Sequence, residues 1–292
     1  MILNTGNFYR FFLAFTLACG VAGTAGALED DRGRSLAPLP AATRIVSLAP
    51  HATELVIALG AADRLVAVDP HSDAPGLDAK LPRVAAYPNP DPEKLLALRP
   101  DLVLVWGEGL SAVMLARLEA MGFRVFVSQP RQLEDVATSL ERMGALLGRG
   151  EAASELAQRY RERLEAITLR YASRTQLPIF VQIWEMPLIT IGAGTFMDDA
   201  LARCGTRNLA RGLSGASPRV AMESVLAMKP ALIVSTVSSA DDSRWRRAGL
   251  VGDSPGNARF IRFVDPVLER PSPAALDALE RLCAEIDTRR TR

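Results

Sequence analysis

Two rhythms of apolar and polar positions alternate along this chain. Short apolar runs at 44–49, 65–68, 101–106 and 123–127 are bounded by Pro, Gly and Asp and read as buried strands. Between them, apolar residues recur every third or fourth position, predicting helices at 54–59, from Asp91-Pro92-Glu93 to just before Pro100, through Leu115 and Leu118 to Gly122, and at 133–147. Asp91 is a natural N-cap, with Pro at the first helical position. The same rhythm restarts after residue 178. Strands are expected at 179–183, 231–235 and 259–264, with helices at 196–204, from Met222-Glu223 to before Pro230, and at 273–287. Strands alternating with helices predict parallel sheets covered by helices.

Between the two halves lies a stretch, 151–173, without Gly or Pro. Its apolar positions Ala153, Leu156, Tyr160, Leu164, Ile167 and Tyr171 fall on one helical face, and Glu155 precedes Arg159 by four residues. Such a helix would be roughly 35 Å long. The halves also match in sequence: the run from Glu93 through Pro100 to Leu104 parallels that from Glu223 through Pro230 to Val234. In each, Glu opens a helix that a Lys/Arg-Pro step ends before the next strand. The expected fold class is therefore α/β, with two Rossmann-like lobes, each built on a parallel sheet, joined by one long rigid helix. The boundaries are a signal peptide at 1–27, a disordered lead-in at 28–43, lobes at 44–149 and 175–292, and the connecting helix at 150–174.

Composition narrows the chemistry. A net charge of +1 over 292 residues gives no support to nucleic acid as a partner, and 49% apolar content suffices for a full core. Arg10, an apolar run and Ala25-Gly26-Ala27 form an export signal. Thr16 to Cys19 also resembles a lipoprotein cleavage box, so acylation at Cys19 is the alternative processing. Export would leave Cys204 and Cys283 in an oxidising compartment, either as two buried thiols or as a bridge closing a loop of about 80 residues.

Ligands of parallel α/β sheets gather beyond the carboxyl ends of the strands. Those ends carry His51, the 69–73 turn with His71, Trp106, Trp184, and the 265–270 loop with Asp265 and Arg270; Tyr87 adds a ring from a Pro-rich loop. The set is rich in rings and poor in catalytic groups, which suits a large, flat ligand between lobes. Gly212 to Gly215 has the wrong spacing for a nucleophile elbow, the run at Gly192 lacks the third glycine of a dinucleotide fingerprint, and there is no Walker A. Asp69, His71 and Asp73 would share one side of an extended segment, which keeps a secreted metal-dependent hydrolase as a remote alternative; a lobe-paired adaptor without a small ligand is another. Glu93 and Glu223 suit their helix starts through the macrodipole, and equally suit docking of two arginines.

These motifs resemble the periplasmic solute-binding proteins of ABC importers whose two lobes are joined by a single helix, the class that carries cobalamin, haem and ferric siderophores. The matching segments are 44–50 with Thr53-Glu54-Leu55, Ser72-Asp73 with Pro75, Glu93 to Trp106, Glu223 to Pro230, Cys204-Gly205, and Glu269-Arg270-Pro271 before the helix bearing Cys283. The likeness is strongest to the cobalamin-carrying branch and spans roughly residues 44–287. It implies a monomeric periplasmic protein without enzymatic activity, resident cofactor or bound metal ion of its own, which delivers cobalamin or a related corrinoid to an inner-membrane permease dimer with its ATPase subunits. Haem or a ferric siderophore is the alternative cargo. The resemblance further implies ligand contacts from His71, Tyr87, Trp106, Trp184, Asp265 and Arg270, permease docking through Glu93 and Glu223, and a Cys204–Cys283 disulfide. This chain departs from that branch where His71 replaces a Tyr, Ser217 replaces a Trp, Pro266-Val267 replaces two rings, and Trp184 is displaced by one position.

Overall fold

The computed structural model describes residues 28–36, 40–85, 89–252 and 259–290. The first half forms β3 (Ile45–Ser47), α1 (Pro50–Ala58), β4 (Leu65–Val68), α2 (Pro92–Leu98), β5 (Leu102–Trp106), α3 (Ala112–Ala120), β6 (Val125–Ser128) and α4 (Leu133–Leu146). The second half forms β7 (Leu177–Gln182), α6 (Phe196–Arg203), β8 (Thr206–Asn208), α7 (Met222–Met228), β9 (Leu232–Ser235), α8 (Ser243–Arg247), β10 (Arg259–Arg262) and α9 (Ala275–Thr288). Between them runs α5 (Gly150–Ala172).

Each half closes its own four-stranded parallel sheet, in the orders β4-β3-β5-β6 and β10-β9-β7-β8. Numbered within its half, each order reads 2-1-3-4, so the sequence repeat is also a repeat of topology. Among the described residues no strand passes from one sheet to the other. Both faces of each sheet are covered, as parallel sheets require. In β5, Leu102 and Leu104 face an inner core while Val103 and Val105 face an outer one. The inner core is continuous through both lobes, running from Phe126 through Leu140 and Leu164 to Ile179 and Leu279.

The buried positions of α5 are Ala153, Ala157, Tyr160, Leu164, Ile167 and Tyr171. Leu156, expected on that face, is only half-buried, and Ala157 takes its place. α4 approaches this helix closely: a Cβ added to Gly144 would lie 2.1 Å from that of Ala153. Arg161 ties the helix to Glu134 and Glu141 of α4, while Arg163 ties it to Asp277 and Glu280 of α9.

The expected disordered lead-in is corrected for residues 28–36. These form the antiparallel hairpin β1 (Leu28–Glu29) and β2 (Ser35–Leu36). Its charges are structural. The fully buried Asp30 accepts hydrogen bonds from the Arg34 backbone and guanidinium. Asp31 accepts from the Gln129 backbone, Ser139 and Arg142. Also unforeseen is α8, a short helix whose Trp245 is buried against Phe180. The signal segment and Cys19 lie outside the described residues.

Candidate ligand cleft

A 2-1-3-4 parallel sheet reverses direction between its first and third strands, and a crevice opens at that switch point. Here the β3/β5 switch point and the end of β7 face a common cleft of about 890 Å³, near the upper end of the range for small-molecule sites. Its walls include Leu48 to His51 after β3, Trp106 at the end of β5, and Ile183-Trp184 after β7.

The tryptophans divide by role. Trp245 is 0% exposed, whereas Trp106 is 46% and Trp184 58% exposed, both bordering the cleft from opposite lobes. Two large rings left half in water at strand ends are surface held ready for an apolar partner. Each is held locally. A Cβ on Gly109 would come within 2.9 Å of the Trp106 ring, so glycine there allows the ring its pose. The Trp184 indole N–H donates to the Met186 carbonyl at 3.2 Å.

The turn after β4 does not run extended, because the Ser72 N–H bonds back to the Asp69 carbonyl. Asp69, His71 and Asp73 are therefore not gathered on one side. Asp69 Oδ1 accepts from the His71 backbone N–H at 2.9 Å and lies 3.0 Å from His71 Nδ1. Asp73 turns to Arg270, whose guanidinium holds its carboxyl below the usual range. Among the described residues no group of three His, Cys, Asp or Glu is arranged to hold a metal ion. His71 and Asp69 border the cleft.

Arg270 also borders the cleft, but its guanidinium is committed to joining the lobes. It donates to Glu54 Oε1 of α1 at 3.1 Å, to Asp73, and to the His71 carbonyl at 3.3 Å, while Ser272 donates to the other Glu54 oxygen. Asp265 is not among the residues bordering the cleft; its carboxylate pairs with Arg281 of α9 and accepts from the Val267 N–H. Tyr87 lies outside the described residues. His51, at the start of α1, is buried against Ser128 Oγ at 3.0 Å, and burial pushes its pKa down to about 4, so it borders the cleft as a neutral ring.

Glu269, within the 265–270 loop, borders the cleft, and sequence reasoning missed Phe196 and Met197 at the start of α6. Burial pushes the Glu269 carboxyl above the usual range, offset in part by a hydrogen bond from Thr236 and by Arg270. The strand-end rule finds only residues that directly follow strands; Phe196 arrives through a long loop, and its only signal is that it is aromatic at a helix start.

Glu93 and Glu223 lie away from the cleft, exposed in the first turns of α2 and α7. One turn on, Leu96 and Leu226 are 49% and 39% exposed. Both helices end on a residue in the left-handed conformation, Arg99 and Lys229, before the matching prolines. Cys204 and Cys283 form a disulfide joining the end of α6 to α9, with both residues fully buried.

The periplasmic binding protein family model matches residues 45–250. The chain is 34% identical over 247 residues to the vitamin B12-binding protein of Vibrio cholerae, covering 84% of this chain and 89% of that one. The crystal structure of the Vibrio cholerae periplasmic vitamin B12 binding protein superposes with a TM-score of 0.77 at 31% identity, covering 86% of this chain and 99% of its own. A periplasmic haem binding protein from Pseudomonas aeruginosa gives 0.69 at 29% identity, covering 84% and 92%. A match across most of both chains, with the same two-sheet architecture, leads to one conclusion: the chain belongs to the periplasmic binding protein family.

Proposed function

We propose that this protein is an exported receptor that binds cobalamin or a related corrinoid in the interlobe cleft and hands it to an ABC importer, without covalent chemistry of its own. The observation that carries the reading is the character of the cleft. Two half-exposed tryptophans from opposite lobes offer flat apolar faces, and the charged groups around them do not favour an anion. Asp69, Glu108 and Glu269 border the cleft against Arg131 and Arg270, and Arg270 is already paired with Glu54 and Asp73. Haem presents two propionates and siderophores are commonly acidic, whereas a corrin is fringed by neutral amides. Those amides can accept from a protonated carboxyl and donate to an ionised one. The names of the relatives at 34% and 31% identity support the same cargo. Haem is the second reading, favoured by the Pseudomonas aeruginosa neighbour and by an imidazole at the cleft.

Absorption titrations with cyanocobalamin, cobinamide and haemin discriminate the two. Binding of both corrinoids and weak or no binding of haemin is the expected result; haemin alone binding would overturn the proposal.

Docking is the second part of the proposal. Each lobe presents a glutamate and, one helical turn on, an exposed leucine, on helices that match in sequence, burial pattern and end geometry. A pair of equivalent points, each combining a charge with an apolar contact, suits a partner made of two like subunits carrying arginines. Glu93→Lys with Glu223→Lys is expected to abolish uptake into cells while leaving corrinoid affinity unchanged. A loss of affinity would instead assign these residues to the fold or the pocket.

A further inference from the structure

His71 is held in a way that a simple hydrogen-bonding residue does not need. Its side chain is 85% exposed at the cleft, yet its ring is oriented by a carboxylate only 9% exposed. Asp69 Oδ1 takes the backbone N–H of His71 at 2.9 Å and faces ring Nδ1 at 3.0 Å. An ionised carboxylate can only accept, so Nδ1 carries the proton and Nε2 keeps its lone pair. Nε2 has no hydrogen-bond partner among the described residues. A carboxylate–imidazole pair with the far nitrogen presented to an open cavity is the arrangement by which proteins orient and strengthen an imidazole as a metal ligand.

The surroundings limit which metal this could be. Among the described residues no set of three donor side chains surrounds the ring, so it cannot hold a bare cation. A single imidazole suffices only for a metal that brings its own equatorial ligands. In the corrinoid reading, on which this inference rests, the cobalt arrives with four corrin nitrogens and has only its axial positions open. Trp106 and Trp184 border the same cleft and suit the faces and edges of such a macrocycle.

We propose that His71 is an axial ligand to the cobalt of the cargo, with Asp69 as its positioning residue, so that the receptor prefers corrinoids whose axial site holds an exchangeable water. In the exchange the Nε2 lone pair forms the cobalt–nitrogen bond as the cobalt–water bond breaks. Nδ1 keeps its proton, the cobalt remains Co(III), and no electron is transferred.

The test titrates the protein with aquocobalamin and, separately, with cyanocobalamin, whose two axial positions are occupied by cyanide and by its own base. On binding, aquocobalamin is expected to change its visible spectrum as it does when free imidazole is added, while cyanocobalamin binds without that change. The aquo form should bind more tightly by about tenfold or more, the scale at which supporting a metal ligand matters. His71→Ala should remove both the spectral change and the preference while still binding cyanocobalamin, which reports an intact cleft. Asp69→Asn should weaken aquocobalamin binding alone. An unchanged spectrum on binding, or one that changes equally in His71→Ala, would overturn axial coordination and leave the corrinoid reading standing. Failure of both corrinoids to bind would overturn both.

Discussion

His51 makes the stability of this protein depend on pH. It is fully buried beside Ser128, and burial lowers its pKa from the ordinary 6.5 to about 4. The unfolded chain therefore binds the proton more readily, so stability is complete above pH 6.5 and falls as the pH drops through the window towards 4. At about 1.4 kcal/mol per unit, the loss reaches about 3 kcal/mol. Glu269, whose carboxyl burial shifts upward, opposes this trend. The difference between wild type and His51→Gln isolates the histidine: urea midpoints at pH 4.5 and 7 should move apart less in the variant. Gly109 is a second sensitive residue. Gly109→Ala places a Cβ within 2.9 Å of the Trp106 ring. Moving that ring should cost about 1 kcal/mol of corrinoid affinity, read by calorimetric titration, with little change in melting temperature.

Among the elements, α5 packs closely against α4. Gly144 of α4 lies against Ala153, and the contact leaves no room for a methyl group. Gly144→Ala should destabilise by about 1–3 kcal/mol through overpacking, measured by denaturant unfolding, although alanine is the better helix former. The outcome would show packing overriding propensity. The disulfide acts between α6 and α9, within one lobe and across 79 residues of sequence. Cys204→Ser with Cys283→Ser should lower stability by about 4 kcal/mol in the chain-entropy model, seen as a lower unfolding midpoint under non-reducing conditions.

For the whole molecule, the question is how far the lobes can move. They share a continuous inner core, and α5 is ion-paired to α4 on one side and to α9 on the other. The α4 N-terminus is held across the lobe boundary, with the Leu133 N–H donating to Asp199 of α6 at 2.9 Å. At the cleft, Arg270 and Ser272 of the second lobe clasp Glu54 of the first. Such a body predicts little closure on ligand binding, in contrast to receptors hinged by flexible strands, and small-angle scattering should give nearly the same radius of gyration with and without ligand. Arg270→Met leaves Glu54, 10% exposed, without its cation. That variant should lose about 3 kcal/mol of stability and gain hydrogen exchange in α1.

The sequence by itself determined the alternation of strands and helices, the repeat from Glu93 and Glu223, and the long helix between the halves. These follow from local periodicity and from prolines and glycines, whose effects act within a few residues. The strand-end positions of Trp106, Trp184 and His71 were legible for the same reason, since a parallel sheet sends its ligands to those ends. What Asp265 and Arg270 do was decided only by tertiary structure. Both have the charge to face a ligand, but their partners Arg281, Glu54 and Asp73 come from other elements, and an ion pair forms wherever folding brings charges together. The hairpin at 28–36 was hidden in the same way: the stretch read as disordered, and Asp30 and Asp31 find their partners Arg34 and Arg142 only in the fold. On α5, periodicity named the stripe but not each member: Ala157 is buried where Leu156 was expected, and α4 packs close enough that Gly144 meets Ala153. Periodicity sets which residues form an element, but which of their groups stay free for a ligand depends on partners distant in sequence.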